Sequence, residues 1–418
     1  MAWHKNTLIY TEVIIQIDVS NSILFYEKSK KIIPASSSTL AKSPERLEKG
    51  YSPFFAKEAY GSHFVDIDGN NWLDCEMAMG TAVWGHNNSR INNAMVRQIQ
   101  KGVNFSIPST LEYELGSILL DRFPLYKAIK FFKNGGDAVY AAVRSSRYFS
   151  KKNKVLSCEY HGWLDWCSPS YYNCAPSQLG IPDVMESMHI YCKKNADNIK
   201  ENISINANNL ACVVLCPINY APDDLKEIIR LCKNYNIYTI FDEVTSGMRY
   251  AYGGITTHYK LEPDFLCLSK GLANGLPLAV VLGSKNEILS MSNLKISNAH
   301  SNENLALAAA IECEHMLFEQ RDNWPLWKND TQIVINNIHK FIVDNNIDLQ
   351  IQGSIACFSI TTPNVNFQED EFRKFLLEYM SNFHIFTKGY FIFSTAHTTE
   401  EIKFVGECII DCIKAYCF

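Results

Sequence analysis

Between about residue 110 and residue 302, apolar positions at helix spacing alternate with short, continuous apolar runs. Leu111–Phe123 and Asp137–Phe149 read as helices, and Ala128–Phe132 and Lys154–Ser157 as strands. Ala211–Leu215, Tyr238–Phe241, Phe265–Leu268 and Ala279–Leu282 add buried-strand candidates, with a helix over Asp223–Asn234 between the first two. Such alternation is the mark of βαβ units, so an α/β domain with a mostly parallel, mixed sheet is expected here. Beyond 303 the pattern changes to long helices (Glu303–Phe318, Thr331–Val343, Glu369–Ser381, Glu400–Tyr416) with an isolated strand over Phe391–Ser394, which predicts a smaller α+β domain. Upstream, apolar runs flank Asp68-Gly69 within Phe64–Asp74, a hairpin signal. The predicted organisation is an N-terminal segment (1–60) contributing to the small domain, a large α/β domain (61–302) and a C-terminal small domain (303–418). Residues 1 to about 35 carry no assignable pattern, and Ser36–Thr39 reads as a loop.

Composition narrows the function classes. A chain of 418 residues, 47% of them hydrophobic, can bury a large core. Its 39 basic and 44 acidic side chains leave a formal charge of -5, so there is no positive field to recruit nucleic acid. The 14 cysteines are scattered and show no C-x-x-C spacing, so no metal site is expected and reduced thiols in a cytoplasmic protein are. Thr7–Tyr26, the longest early apolar stretch, is broken by Glu12, Gln16, Asp18 and Asn21, which argues against a membrane span or a signal peptide.

The candidate chemistry sits at two strand ends. Tyr238–Glu243 places an acidic pair where a buried strand emerges, and Pro263–Gly271 places Lys270 at the end of another. Open α/β sheets bind ligands just beyond the carboxyl ends of their strands. A lysine there, beside Ser269 and Gly271, suits a cofactor aldehyde: desolvation favours the neutral, nucleophilic amine. A carboxylate such as Asp242 suits the nitrogen of a pyridine ring that must stay protonated to accept electrons. Alone, an Asp-Glu pair is usually a cap or a solvated turn and a Ser-Lys-Gly a surface loop; together they carry more weight. No Gly-x-Gly-x-x-Gly follows any predicted strand, which disfavours a nucleotide-binding dehydrogenase.

Further motifs accompany the pair in order: Asp66-Ile-Asp-Gly69, Trp84-Gly-His86, Asn134-Gly-Gly-Asp-Ala138, Tyr160-His-Gly162, Phe241–Arg249, Pro263-Asp264, Gly275-Leu-Pro277 and Ala396-His-Thr398. With them the chain resembles the class III aminotransferases, fold type I pyridoxal 5'-phosphate enzymes, and especially their glutamate-1-semialdehyde 2,1-aminomutase-like branch. The resemblance runs from about Ser38 onward. It implies that Lys270 is the Schiff-base lysine and the base for the proton shift, that Asp242 partners the pyridine nitrogen, and that Val244 and Tyr160 pack on the two ring faces. It gives Gly135, Gly136 and Asp137 the cofactor phosphate, held at a helix N-terminus, and it implies a homodimer. His161 and Gly162 read as support for that turn.

The chain also departs from the family. Gly136 and Asp137 stand where relatives have a hydroxyl residue and a glutamate, Ala299 where they have a threonine, and Cys216 where they have the acid of a Glu-Pro. An aminomutase of this branch has a Gly-Ser-Gly gating loop, a pocket tryptophan and a basic residue near the N-terminus; here Cys167–Cys174, Met79 and Ser38–Pro44 occupy those places. The expected function is therefore an intermolecular, ping-pong aminotransferase acting on a small-molecule amino donor and a carbonyl acceptor, in the manner of polysaccharide- and natural-product-modifying relatives. The alternatives are the aminomutase and a catalytically impaired relative. Lys42 and Arg249 are candidate cations near the substrate, with Arg249 expected to be a salt-bridge partner behind the site.

Overall fold

In the computed structural model, which describes residues 17–47, 50–168, 176–367 and 369–418, the apolar runs assemble into one seven-stranded sheet. Its spatial order is Ala128–Phe132, Ala279–Gly283, Phe265–Leu268, Tyr238–Asp242, Leu210–Leu215, Lys154–Ser157, His189–Tyr191. Neighbours run parallel except for Ala279–Gly283, which is antiparallel to the strands on both sides of it. Alternate residues of one strand feed opposite cores: Val213 and Leu215 join one cluster, Cys212 and Val214 the other. With both faces covered, no polar face is left, which is why these strands read as unbroken apolar runs. The helix Gly135–Ser150 packs Ala138, Val139, Ala142 and Val143 on one face, and helices Pro222–Asn234 and Asn304–Glu319 help to cover the other.

The predicted hairpin forms between His63–Asp66 and Asn71–Asp74, with Phe64 opposite Trp72. Fully buried Asp66 sets its turn, accepting from the backbone N–H groups of Asp68 (3.0 Å) and Asn70 (2.8 Å) and from Trp72 Nε1 (2.8 Å). Asn71–Asp74 also pairs in parallel with Ile385–Phe386, so the hairpin shares a sheet with a segment from far along the chain. A three-stranded sheet of Gln350–Ser354, Cys357–Thr361 and Tyr390–Phe391 lies in the C-terminal part.

Some elements differ from the periodicity reading. Only Tyr390–Phe391 of the expected strand 391–394 region pairs, because the chain leaves the sheet at Ile392 to bond Cys75. Lys328–Asp344 starts earlier than predicted, whereas Glu303 is a cap and not a helical residue: its carboxylate accepts from the N–H groups of Leu305 and Ala306. Ser20–Ser29 is a helix whose first turn is held by the Asp68 carboxylate, a long-range tie that local spacing does not encode. Among the described residues no helix is long and apolar enough to cross a membrane. Residues 1–16 and most of Cys167–Cys174, the segment that stands in place of the gating loop, lie outside the described residues.

Candidate active site

Asp242 ends its strand, and Lys270 follows the neighbouring strand after one residue. Both side chains line one cavity of about 450 Å³, together with Gly135, Gly136, Asp137, Tyr160 and Val244. The predicted site residues are thus brought to a single place. Lys270 Nζ donates to Thr245 Oγ1 at 2.8 Å, and burial pulls its pKa below the ordinary 10.5, so the amine leans toward its neutral form. Asp242 is 8% exposed; one oxygen accepts the Val244 N–H at 3.0 Å and the other meets His161 Nδ1 at 2.7 Å. The other acid of the pair turns inward, as strand alternation requires. Glu243 is buried and accepts from Ser246 Oγ, the N–H groups of Ile255 and Thr256, and Thr256 Oγ1, tying down the following loop.

The start of helix Gly135–Ser150 forms another wall. Its N-cap Asn134 is extended and provides no side-chain cap; the Asp137 N–H donates to the Asn134 carbonyl at 3.1 Å, and the N–H groups of Gly135 and Gly136 ahead of it remain available to an anion. A Cβ on Gly135 would stand 2.6 Å from Val244 Cγ2, and one on Gly162 would stand 3.2 Å from Gly136 Cα. These close approaches explain the glycines at this turn. Lys133, also in the wall, pairs with Glu303 at 2.9 Å. Ala299 lies in an exposed stretch, where its carbonyl accepts from Asn104 Nδ2 at 3.4 Å.

Lys270 and Thr245 also border a second cavity of about 250 Å³ lined by Arg46, Glu76, Met79, Arg373 and Lys388. The N-terminal approach therefore does bring a basic residue to the site: Arg46, two residues beyond the Ser38–Pro44 stretch, lines this cavity. Buried Arg373 holds this wall by donating to the backbone carbonyls of Lys388 (2.9 Å) and Arg46 (3.1 Å). Glu76 accepts the Lys388 N–H at 3.0 Å, and burial pushes its carboxyl up to about 7. Met77, Ala78 and Met79 run through positive φ (43°, 51°, 63°), a costly left-handed stretch that carries Met79 into the cavity. Lys42 lines an adjoining cavity with Glu76 and Lys388. Arg249 is not a salt-bridge partner: fully buried, it donates to the carbonyls of Ala356 (3.0 Å) and Phe393 and lies over the Trp327 ring, and no carboxylate among the described residues pairs with it. Thr245, Arg46 and Arg373 are the site residues that sequence reasoning missed.

This strand order, with helices on both faces, is that of the fold type I pyridoxal phosphate enzymes. The chain belongs to the class III aminotransferase family, whose pattern matches residues 47–324. It is 26% identical over 370 residues to a glutamate-1-semialdehyde 2,1-aminomutase of Wigglesworthia glossinidia brevipalpis, covering 83% of this chain and 84% of that one. It is 24% identical over 416 residues to a 3-aminobutyryl-CoA aminotransferase of Cloacimonas acidaminovorans, covering 94% and 97%. Its fold is similar to that of an omega-transaminase from Sphaerobacter thermophilus, with a TM-score of 0.84 at 19% identity over 94% of this chain and 97% of the other.

Proposed function

We propose that the chain binds pyridoxal 5'-phosphate in the larger cavity and moves an amino group from a small-molecule amino donor to a carbonyl acceptor in a ping-pong cycle. One observation carries the reading: a lysine amine leaning toward neutrality and a carboxylate line the same cavity as an uncapped helix N-terminus. The residues fit the cofactor. Gly135–Asp137 would take the phosphate, Asp242 the pyridine nitrogen, Lys270 the aldehyde end, and Tyr160 and Val244 the ring. When bound, the group supplies a sink for the electrons left at the substrate Cα. Lys270 Nζ would serve as the base for the Cα proton, with Thr245 Oγ1 holding the amine in reach. Arg46 and Lys388 would orient an anionic group of the substrate.

The second reading, an intramolecular aminomutase, is favoured by Arg46 in the cavity wall and by the aminomutases among the relatives. A half-reaction panel separates the two. A transaminase's visible band should fall on addition of donor alone and return with an acceptor; an aminomutase should instead convert a substrate carrying both groups without a separate donor. A protein that cannot be loaded with the cofactor would sink both and favour the impaired relative. The homodimer belongs to the same proposal: Tyr160 and Trp163, at the cavity, are 46% and 76% exposed in the single chain, and a second copy would cover them. Light scattering showing a monomer would count against it. The described cysteines are free thiols, in keeping with the proposed cytoplasmic location.

A further inference from the structure

Behind Asp242 lies a string of buried polar groups that the proposed reaction does not use. His161 is 2% exposed, and while its Nδ1 meets Asp242 Oδ2 at 2.7 Å, its Nε2 has no hydrogen-bond partner. The carboxylate of Glu159, itself buried, points its own unpartnered Oε2 at that nitrogen from 3.8 Å. The other oxygen, Oε1, is fixed by Tyr220 Oη at 2.5 Å and by Asn219 Nδ2 at 3.4 Å. Two complementary buried atoms left unpaired at this separation need only a small side-chain rotation to bond, and each is costly if they do not. A neutral imidazole has only one N–H and could serve only one of the two carboxylates.

We infer that Glu159 is a positioning residue, its carboxylate drawing a second N–H from His161 so that the ring donates to Glu159 and Asp242 at once and keeps Asp242 an anion beneath the cofactor's pyridine nitrogen. The last clause rests on the proposed cofactor role of Asp242. The groups facing the string are Tyr220, Cys158, Cys216, Lys194, Lys270 and His189. Cys216 is close enough to relocate the acid: one ligand atom each from Glu159, His161 and Cys216 lies within 4.8 Å of the others.

The test uses Glu159→Gln, which keeps the shape and the Tyr220 contact, and Glu159→Ala with Cys216→Glu, which moves the acid across the gap. In the full-length protein without added cofactor, ¹⁵N-histidine spectra near neutral pH should show both nitrogens of His161 protonated in the parent, one in Glu159→Gln, and both again in the relocated variant. Pyridoxal phosphate affinity, read from the visible band, should fall about tenfold in Glu159→Gln, the scale of one charge-assisted hydrogen bond, and recover in the relocated variant. A singly protonated His161 in the parent overturns the proposal, as does a change in affinity of less than about twofold in Glu159→Gln. A stoichiometric zinc in the purified protein, lost from Cys216→Ala, also overturns it, since Nε2 would then hold a metal and not a proton. A parent with both nitrogens protonated that binds no cofactor would instead uphold the histidine link and refute the reading of the site.

Discussion

Lys270 Nζ is held by the Thr245 hydroxyl at 2.8 Å and by no carboxylate among the described residues. A neutral acceptor does not stabilise an ammonium as an acid would, so burial prevails and holds the amine's pKa below its ordinary value. Lys270→Ala should lower turnover by at least about a thousandfold while the far-ultraviolet circular dichroism stays that of the parent. Retained turnover would remove the proposed mechanism.

The same burial has a thermodynamic signature in the cofactor-free protein. The folded-state pKa of Lys270 lies below the ordinary 10.5, so below that pH the unfolded chain binds the extra proton and stability rises as pH climbs toward it. Lys270→Met removes that slope at similar volume. Urea unfolding should find the variant more stable than its parent at about pH 7, with the gap closing by about pH 10.

Glu76 has the opposite sign. Its carboxyl is raised from 4.5 to about 7, so its contribution is fully present below 4.5 and is lost as pH rises to about 7. Glu76→Gln should therefore gain on its parent across that interval, by on the order of 3 kcal/mol at the top of it. Parallel unfolding curves at both ends of the interval would contradict this.

Arg122 and Glu314 form an ion pair at 2.9 Å with each side chain 1% exposed. Glu314→Ala leaves a buried guanidinium unpaired and should cost about 3–5 kcal/mol in chemical denaturation, whereas Arg122→Met with Glu314→Leu should recover most of that loss. Equal losses in the single and double variants would show that the pair's shape, not its charge, matters.

The sheet was legible because burial on both faces leaves its strands no polar positions; Ala128–Phe132, Lys154–Ser157 and Phe265–Leu268 appear at the predicted bounds. His189–Tyr191 was not, since a three-residue, half-buried edge strand has too little pattern to detect. Lys270 and Asp242 were legible as strand-end residues beside small neighbours. Arg46 was not: it ends the second of two short 3-10 turns, Leu40–Lys42 and Pro44–Arg46, and its backbone carbonyl is held by Arg373, 327 residues away. The division of labour between Asp242 and Glu243 lies in strand alternation, a signal present in the sequence.

Leu73 and Asp74 find their parallel partners in Ile385 and Phe386, and Asp74 in turn braces His86 at 2.8 Å and the N–H groups of Glu76 and Met77. In chain order the hairpin therefore comes long before the strand that completes its sheet. Contacts of such sequence separation slow the approach to the native state. The wall that carries Glu76 and Met79 is accordingly completed only by a segment from far along the chain.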